Sequence, residues 1–232
     1  MNLLDRAKPI EETEEYIKLL LYGFPGVGKT YFSGHAPNPV FIDHERSTEV
    51  FRHVPDLRSI PVFTPSSYKE VVDFCKEVVK TKTYDTIVID TVSRMQMFQL
   101  SQYMKQETAG KNRSEYLPLW GDYRMSTNVI DELFVFLQTA PIHVILTAHA
   151  AEDINQETGT VTRIRPDLTP ALNKALIGLI NCVAYLEVVT NFKGESTRKL
   201  TVNPLNHIIA KNRLNIQEPT ISNPDFKQIF LT

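Results

Sequence analysis

Gly23-Phe24-Pro25-Gly26-Val27-Gly28-Lys29-Thr30 decides the fold, because it satisfies G-x-x-x-x-G-K-[ST]. By chance the four fixed positions would occur roughly once in a hundred chains of this length. The glycines let the backbone curl until successive N–H groups point inward at phosphate oxygens, and the start of a helix adds its own unpaired N–H groups. In such a loop Lys29 reaches the β- and γ-phosphates and the Thr30 hydroxyl holds Mg²⁺. All eight residues from Gly23 to Thr30 are therefore nucleotide-binding candidates, and the pattern predicts ATP with Mg²⁺. The context agrees: Ile17-Lys18-Leu19-Leu20-Leu21-Tyr22 precedes the loop as a nearly continuous apolar run, and a helix can begin at Lys29.

Working outward, three more such runs appear: Val40-Phe41-Ile42-Asp43, Thr86-Ile87-Val88-Ile89-Asp90 and Ile142-His143-Val144-Ile145-Leu146-Thr147. Runs without polar alternation are what strands buried on both faces show. Helical patterns lie between them. Ser67 and Glu70 form a capping-box signature ahead of Val71, Val72, Phe74, Cys75, Val78 and Val79. A helix over about 92–106 follows Asp90. A third carries Met125, Val129, Ile130, Leu133, Phe134 and Leu137 on one face, and Thr169-Pro170 opens a fourth with proline at its first position. The last third reads as strands, 182–189, 198–202 and 207–211. The fold class is thus α/β, a mainly parallel sheet flanked by helices with an antiparallel C-terminal extension.

Strand ends carry the remaining chemistry, since ligands of parallel sheets sit at the carboxyl ends of strands. Asp90 closes the third run and is the candidate to hold the metal, with Thr30. Thr91 follows it, so an adjacent Asp-Glu pair is absent. The group that orients water is instead sought in Asp43-His44-Glu45, with Glu45 as the base, or else a solvated loop carboxylate.

Composition excludes several classes. The 232 residues are 42% hydrophobic and 22% charged, which rules out a disordered or fibrous chain. With 25 basic and 27 acidic residues, any nucleic-acid contact must come from a local patch. No apolar run is long enough to span a bilayer, and the start of the chain lacks the order of a secretory signal. Cys75 and Cys182 lie in apolar segments without metal-like spacing. A soluble, cytoplasmic protein is expected, within a bacterial host cell if phage-encoded. Residues 1–16 read as an acidic tail and 17–232 as one ATPase domain.

Several of these segments together resemble the core of RecA-type recombinases. Phe41-Ile42-Asp43-His44-Glu45 is similar to the strand delivering the catalytic glutamate, and Asp85 to Val92 to the aspartate strand. Val144-Ile145-Leu146-Thr147-Ala148-His149 stands where the family has an apolar strand ending in a γ-phosphate sensor; His149 replaces its glutamine. Ile208-Ile209-Ala210-Lys211-Asn212-Arg213 resembles the strand whose two basic residues reach the neighbouring subunit's ATP, with Arg213 in place of a lysine. Residue by residue, the alternatives are a histidine capping the sheet and two basic residues on an edge strand. The resemblance covers about 17–213, and the length leaves no room for additional polymerisation or DNA-gating domains. The match is to the compact core-only group of bacteriophages, which implies a RecA-like P-loop ATPase that binds single-stranded DNA in recombination or annealing. It also implies self-association into a ring or filament, with Lys29, Glu45, His149, Lys211 and Arg213 as the catalytic set.

In that family two segments face DNA. Here the second is 150–167, read as a hairpin turning at Gln156-Glu157-Thr158-Gly159, whose far arm puts Arg163 and Arg165 on one face. Residues 160–213 hold eight basic residues against three acidic ones. The first segment runs from Lys111-Asn112-Arg113 through Trp120 and Tyr123, bases with aromatics that either stack on nucleobases or pack against the domain. The competing reading is an ATP-gated switch or loader that binds a replication or single-strand-binding protein rather than DNA.

Overall fold

In a computed structural model, which describes Pro9 and residues 15–230, the run before the phosphate loop is strand β1 (Lys18–Gly23), buried at every position. Its side chains alternate between two cores. Leu20 and Tyr22 enter one, Leu19 and Leu21 the other. The strands beside it divide the same way: Val40 and Ile42 against Phe41, Ile87 and Ile89 against Val88, Val144 and Leu146 against Ile145. A strand covered on both faces cannot afford polar alternation, which explains the apolar runs.

Along the chain the elements are β1, α1 (Lys29–Gly34), β2 (Pro39–Asp43), a 3₁₀ helix (Ser47–His53), β3 (Val62–Phe63), α2 (Tyr68–Thr81), β4 (Thr86–Asp90), α3 (Val92–Thr108) and α4 (Trp120–Thr139). There follow β5 (His143–Ile154), β6 (Val161–Pro166), α5 (Pro170–Leu179), β7 (Cys182–Thr190), β8 (Ser196–Thr201), β9 (Lys211–Asn212), β10 (Thr220–Ser222) and α6 (Phe226–Phe230). The described residues form one sheet of order β10-β8-β7-β1-β5-β4-β2-β3, with β6 on β5 and β9 on β7. The pairs from β7 across to β3 are parallel. Pairings made by β6, β8, β9 and β10 are antiparallel. This is the α/β class expected from the sequence, a mainly parallel sheet flanked by helices with an antiparallel C-terminal extension. Helices α2 to α5 cover one face; α1, the 3₁₀ helix and α6 cover the other.

Register brings the functional ends together. Gly23 pairs with His149, and Asp43 with Asp90. At the opposite end of β1, buried Lys18 donates from Nζ to the carbonyls of Leu137 and Ala140 at 2.8 Å each and of Ile142 at 2.5 Å. It thereby caps the C-terminus of α4, and burial brings its pKa down to about 8.

Some expectations needed correction. The fourth run does not stop at Thr147: β5 continues to Ile154, because β6 supplies an antiparallel partner where the parallel neighbours end. Residues 207–211 do not form a strand; only Lys211 and Asn212 pair with β7, and Ile208 makes isolated bridges to Ile164 and Leu205. Tyr22 holds that segment instead, donating its hydroxyl to Ile209 O at 2.6 Å. The Ser67 hydroxyl accepts from Glu70 N at 3.2 Å, and the Glu70 carboxylate also accepts from Ser66 N at 2.8 Å and Ser66 Oγ at 2.6 Å. Met125 is exposed rather than part of the buried stripe of α4. Apart from Glu15, Tyr16 and Pro9, the acidic tail lies outside the described residues.

Candidate nucleotide site

The loop leaves β1 at Gly23, where a Cβ would lie 2.3 Å from Leu186 O on β7, so only glycine fits. Gly28 has φ 102, the left-handed region that glycine adopts without strain. Its carbonyl accepts from Phe32 N at 2.9 Å, starting α1. Lys29 is buried and donates from Nζ to Gly23 O at 2.8 Å and Phe24 O at 3.1 Å. Burial lowers its pKa, opposed by the nearby charges of Asp90 and Glu45.

Asp90 is almost completely buried at the end of β4, within a ring of hydroxyls. Oδ2 accepts from Thr30 Oγ1 and from Ser47 Oγ, each at 2.7 Å, while Oδ1 accepts from Thr147 Oγ1. Burial raises its pKa; the three hydroxyl bonds oppose that and neighbouring Asp43 adds to it. Asp43 plays a different part from its neighbour. It accepts from Glu45 N and Thr48 N at 2.9 Å and from Thr48 Oγ1 at 2.5 Å, building the turn into the 3₁₀ helix. Burial would raise its pKa, but the bonds from Thr48, Glu45 and Ser47 outweigh that and leave it lowered.

Glu45 and His149 meet above this layer. His149 Nε2 lies 2.9 Å from Glu45 Oε1, and Thr91 Oγ1 donates to the same oxygen at 3.2 Å. The other ring nitrogen, Nδ1, is buried without a partner among the described residues. A carboxylate only accepts, so in this contact Nε2 carries the proton and donates it to Glu45. Residues brought together from the ends of β2 and β4, from β5 and from the loop thus line one cleft of about 370 Å³, including Lys29, Thr30, Glu45, Ser47, Asp90 and His149.

The oxygen set of Thr30, Ser47 and Asp90 suits a small hard cation, which takes one or two carboxylates and completes its shell with phosphate and water. No cluster of three or more His, Cys, Asp or Glu suited to a metal occurs among the described residues.

Ser47, Thr147 and Arg198 belong to the site and were missed from the sequence. Thr147 had a signal, lying two positions before His149 on the same strand face. Arg198 had none, being brought to the loop only by the β7–β8 hairpin. Its Nε donates to Val27 O at 3.1 Å and its guanidinium lies 5.9 Å from the Tyr31 ring centroid.

Other candidates lie elsewhere. Lys211 Nζ donates to Ile177 O at 2.5 Å and Gly178 O at 3.1 Å, capping α5 of its own chain. Arg213 is exposed, and its N–H is bonded to Asn181 O at 2.9 Å, toward the end of the sheet away from the loop. On the β5–β6 hairpin Arg165 pairs with Asp153 at 2.9 Å, whereas Arg163 is exposed and makes no ion pair among the described residues. Lys111 pairs with Glu107 at 2.5 Å and Arg113 with Asp122. Trp120 is 78% exposed with Arg124 over its ring, and Tyr123 is also exposed.

A parallel sheet with a phosphate loop at one strand end, a hydroxyl-ringed aspartate at the next and a glutamate beside them defines the P-loop nucleoside triphosphatase class. A family model described as an AAA domain matches residues 15–214, and the chain belongs to that family. A search of curated proteins finds no match. Among solved structures the chain is similar to a KaiC-like protein from the hyperthermophilic archaeon Pyrococcus horikoshii OT3. The identity is 18% and the TM-score 0.47, over 79% of this chain and 76% of that one. No helix among the described residues is long and apolar enough to cross a membrane.

Proposed function

We propose that the protein is a Mg²⁺-dependent ATPase that assembles with copies of itself on single-stranded DNA, in recombination or annealing of the phage type. One observation carries the reading. β5 runs unbroken from Thr147, bonded to Asp90, through His149, bonded to Glu45, into the hairpin that carries Arg163. A displacement of that hairpin would reach the glutamate along β5.

The loop amides and Lys29 hold the phosphates. Thr30, Asp90 and Ser47 would hold Mg²⁺, which when bound neutralises phosphate charge. Glu45 accepts a hydrogen bond from the water that attacks the γ-phosphorus, and His149 fixes the carboxylate that does so. Phosphate leaves with ADP as the other product. Arg213 would act on the ATP of a neighbouring protomer, spreading transition-state charge with a planar fork. Arg163, with the exposed aromatics Trp120 and Tyr123, would contact the strand; Arg165, Lys111 and Arg113 would have to leave their carboxylates to join them.

That last point favours a second reading. Three of the four cations proposed for DNA are already paired, and the segment before α4 exposes Leu117 and Leu119 as well as Tyr116. Such a surface suits a protein partner, and the chain would then be an ATP-gated switch or loader for a replication protein.

ATP hydrolysis with and without single-stranded DNA, at low and moderate salt, separates the two. The DNA reading expects stimulation that fades with salt, because phosphate contacts release counterions, and that disappears in Lys29→Ala. Glu45→Gln should keep ATP binding and lower the rate about 100-fold or more. Hydrolysis indifferent to DNA at every salt concentration would overturn the DNA reading and leave the loader.

A further inference from the structure

Beside the phosphate cleft lies a groove of about 230 Å³, and the two share Gly28, Tyr31 and Arg198 in their walls. We infer that this groove receives the base and sugar of the nucleotide, with Tyr31 and Arg198 as flat stacking surfaces and the Asn223–Phe226 segment as the outer wall. The inference rests on the nucleotide-binding reading above and deepens it, since nothing in the loop itself selects a nucleoside.

The direction follows from what closes the rest of the cleft. Glu45, Asp90 and His149 stand at one end, around the position of the terminal phosphate. A nucleotide seated with that phosphate by Glu45 must lead its nucleoside away from the carboxylates, past Gly28. The wall that the cleft shares with the groove, made by Gly28, Tyr31 and Arg198, lies on that side. Arg198 stands at the junction. A Cβ on Gly28 would come 2.8 Å from Arg198 Nε, so the guanidinium lies directly against the loop backbone. Nε is committed to Val27 O, and its terminal donors have no partner among the described residues.

Flat surfaces and polar edges are both present. The Tyr31 ring is 41% exposed and lies against the His35 ring at 4.7 Å between centroids. His35 Nδ1 is 2.9 Å from Tyr31 O and must be the donor, which leaves Nε2 of the neutral ring as an acceptor. Across the groove Asn223 is exposed, with φ 49, and its N–H donates to Arg198 O at 2.7 Å, so the outer wall is tied to the strand that carries the arginine. Phe226 anchors that wall, fully buried against Phe32 of α1 at 5.6 Å between ring centroids. An aromatic ring, a guanidinium and an amide edge form the chemistry that grips a nucleobase, by stacking on its face and hydrogen bonding to its rim.

Two probes test this with Mg²⁺ present: ATP, and inorganic tripolyphosphate, which has the phosphates and no nucleoside. The wild-type protein should bind ATP more tightly than tripolyphosphate. Tyr31→Ala should weaken ATP about tenfold while leaving tripolyphosphate within roughly twofold, as expected when a stacking contact is lost. Asn223→Gly removes the amide yet keeps the left-handed backbone, and should weaken ATP alone by a smaller factor. Lys29→Ala should weaken both probes. Melting curves of the two groove variants should match the wild type. If Tyr31→Ala weakens both probes equally, or neither, the groove does not hold the nucleoside. Equal wild-type affinity for ATP and tripolyphosphate would also overturn the inference while leaving the phosphate site intact. Binding of neither probe would remove the nucleotide-binding reading and this one with it.

Discussion

At Asp90 stability and function pull in opposite directions. A carboxylate this deeply buried loses its hydration, and three hydroxyl donors offset only part of the loss, so its pKa stays raised. Asparagine has nearly the same shape, and hydroxyls can rotate to accept from its amide as readily as they donate to its oxygen. Asp90→Asn should therefore stabilise the free protein by on the order of 1 kcal/mol, a rise of roughly 2–4 °C in Tm for a chain of this size. The same change removes the one charged oxygen pair of the cation site, so Mg²⁺ should no longer strengthen ATP binding. Calorimetry of both proteins with and without Mg²⁺-ATP checks the two halves together. An Asn variant that melts lower than wild type would mean that Asp90 is a structural carboxylate of the same kind as Asp43.

Among the elements, Lys18 joins the beginning of β1 to the end of α4, and its burial has a pH signature. The folded pKa of about 8 lies below the ordinary value of 10.5. Between these values the unfolded chain binds the proton and the folded chain does not, so stability rises with pH. The gain is complete above about 10.5 and is lost as pH falls through about 8, with a ceiling of about 3 kcal/mol. Denaturant midpoints measured at intervals from pH 7.5 to 10 should climb for the wild type relative to Lys18→Met, which is less stable throughout because three carbonyls lose their donor. Parallel profiles would mean that Lys18 keeps its proton in the fold. Sequence gave no hint of this cap, since a lysine inside an apolar run carries no record of the helix end it will meet. The strands themselves were legible because burial on both faces forces near-continuous apolar runs, and Glu45, Asp90 and His149 were legible because they sit at the ends of those runs. Short elements such as β10, α6 and the 3₁₀ helix were not, being too brief to develop a period. Residues 207–211 misled for the opposite reason: Ile208 and Ile209 are apolar because they pack beside Tyr22 and β6, without a ladder.

For the whole molecule, the position of Arg213 sets a requirement on assembly. Its backbone is held by Asn181, whose own N–H donates to Lys18 O at the start of β1. Five residues of strand, roughly 16 Å, separate Lys18 from Gly23, which exceeds the reach of an arginine side chain, so Arg213 cannot serve the phosphate loop of its own chain. If it contributes to hydrolysis, it does so across a head-to-tail contact in which the loop of one copy faces the Arg213 end of the next. Arg213→Ala should then lose about 10³-fold in rate, the effect of removing an arginine supplied in trans, while binding ATP normally. Lys29→Ala should be equally inactive because it binds ATP poorly. Mixing the two dead variants makes a third kind of contact, with an intact loop from the Arg213→Ala copy beside an intact arginine from the Lys29→Ala copy. In an equal, random mixture about a quarter of the contacts have that composition, and the mixture should recover a corresponding share of wild-type hydrolysis. It should do so only at concentrations where the wild-type rate per protomer also depends on concentration. No recovery from two variants that still assemble would assign Arg213 to the surface and make each protomer's site complete without its neighbour.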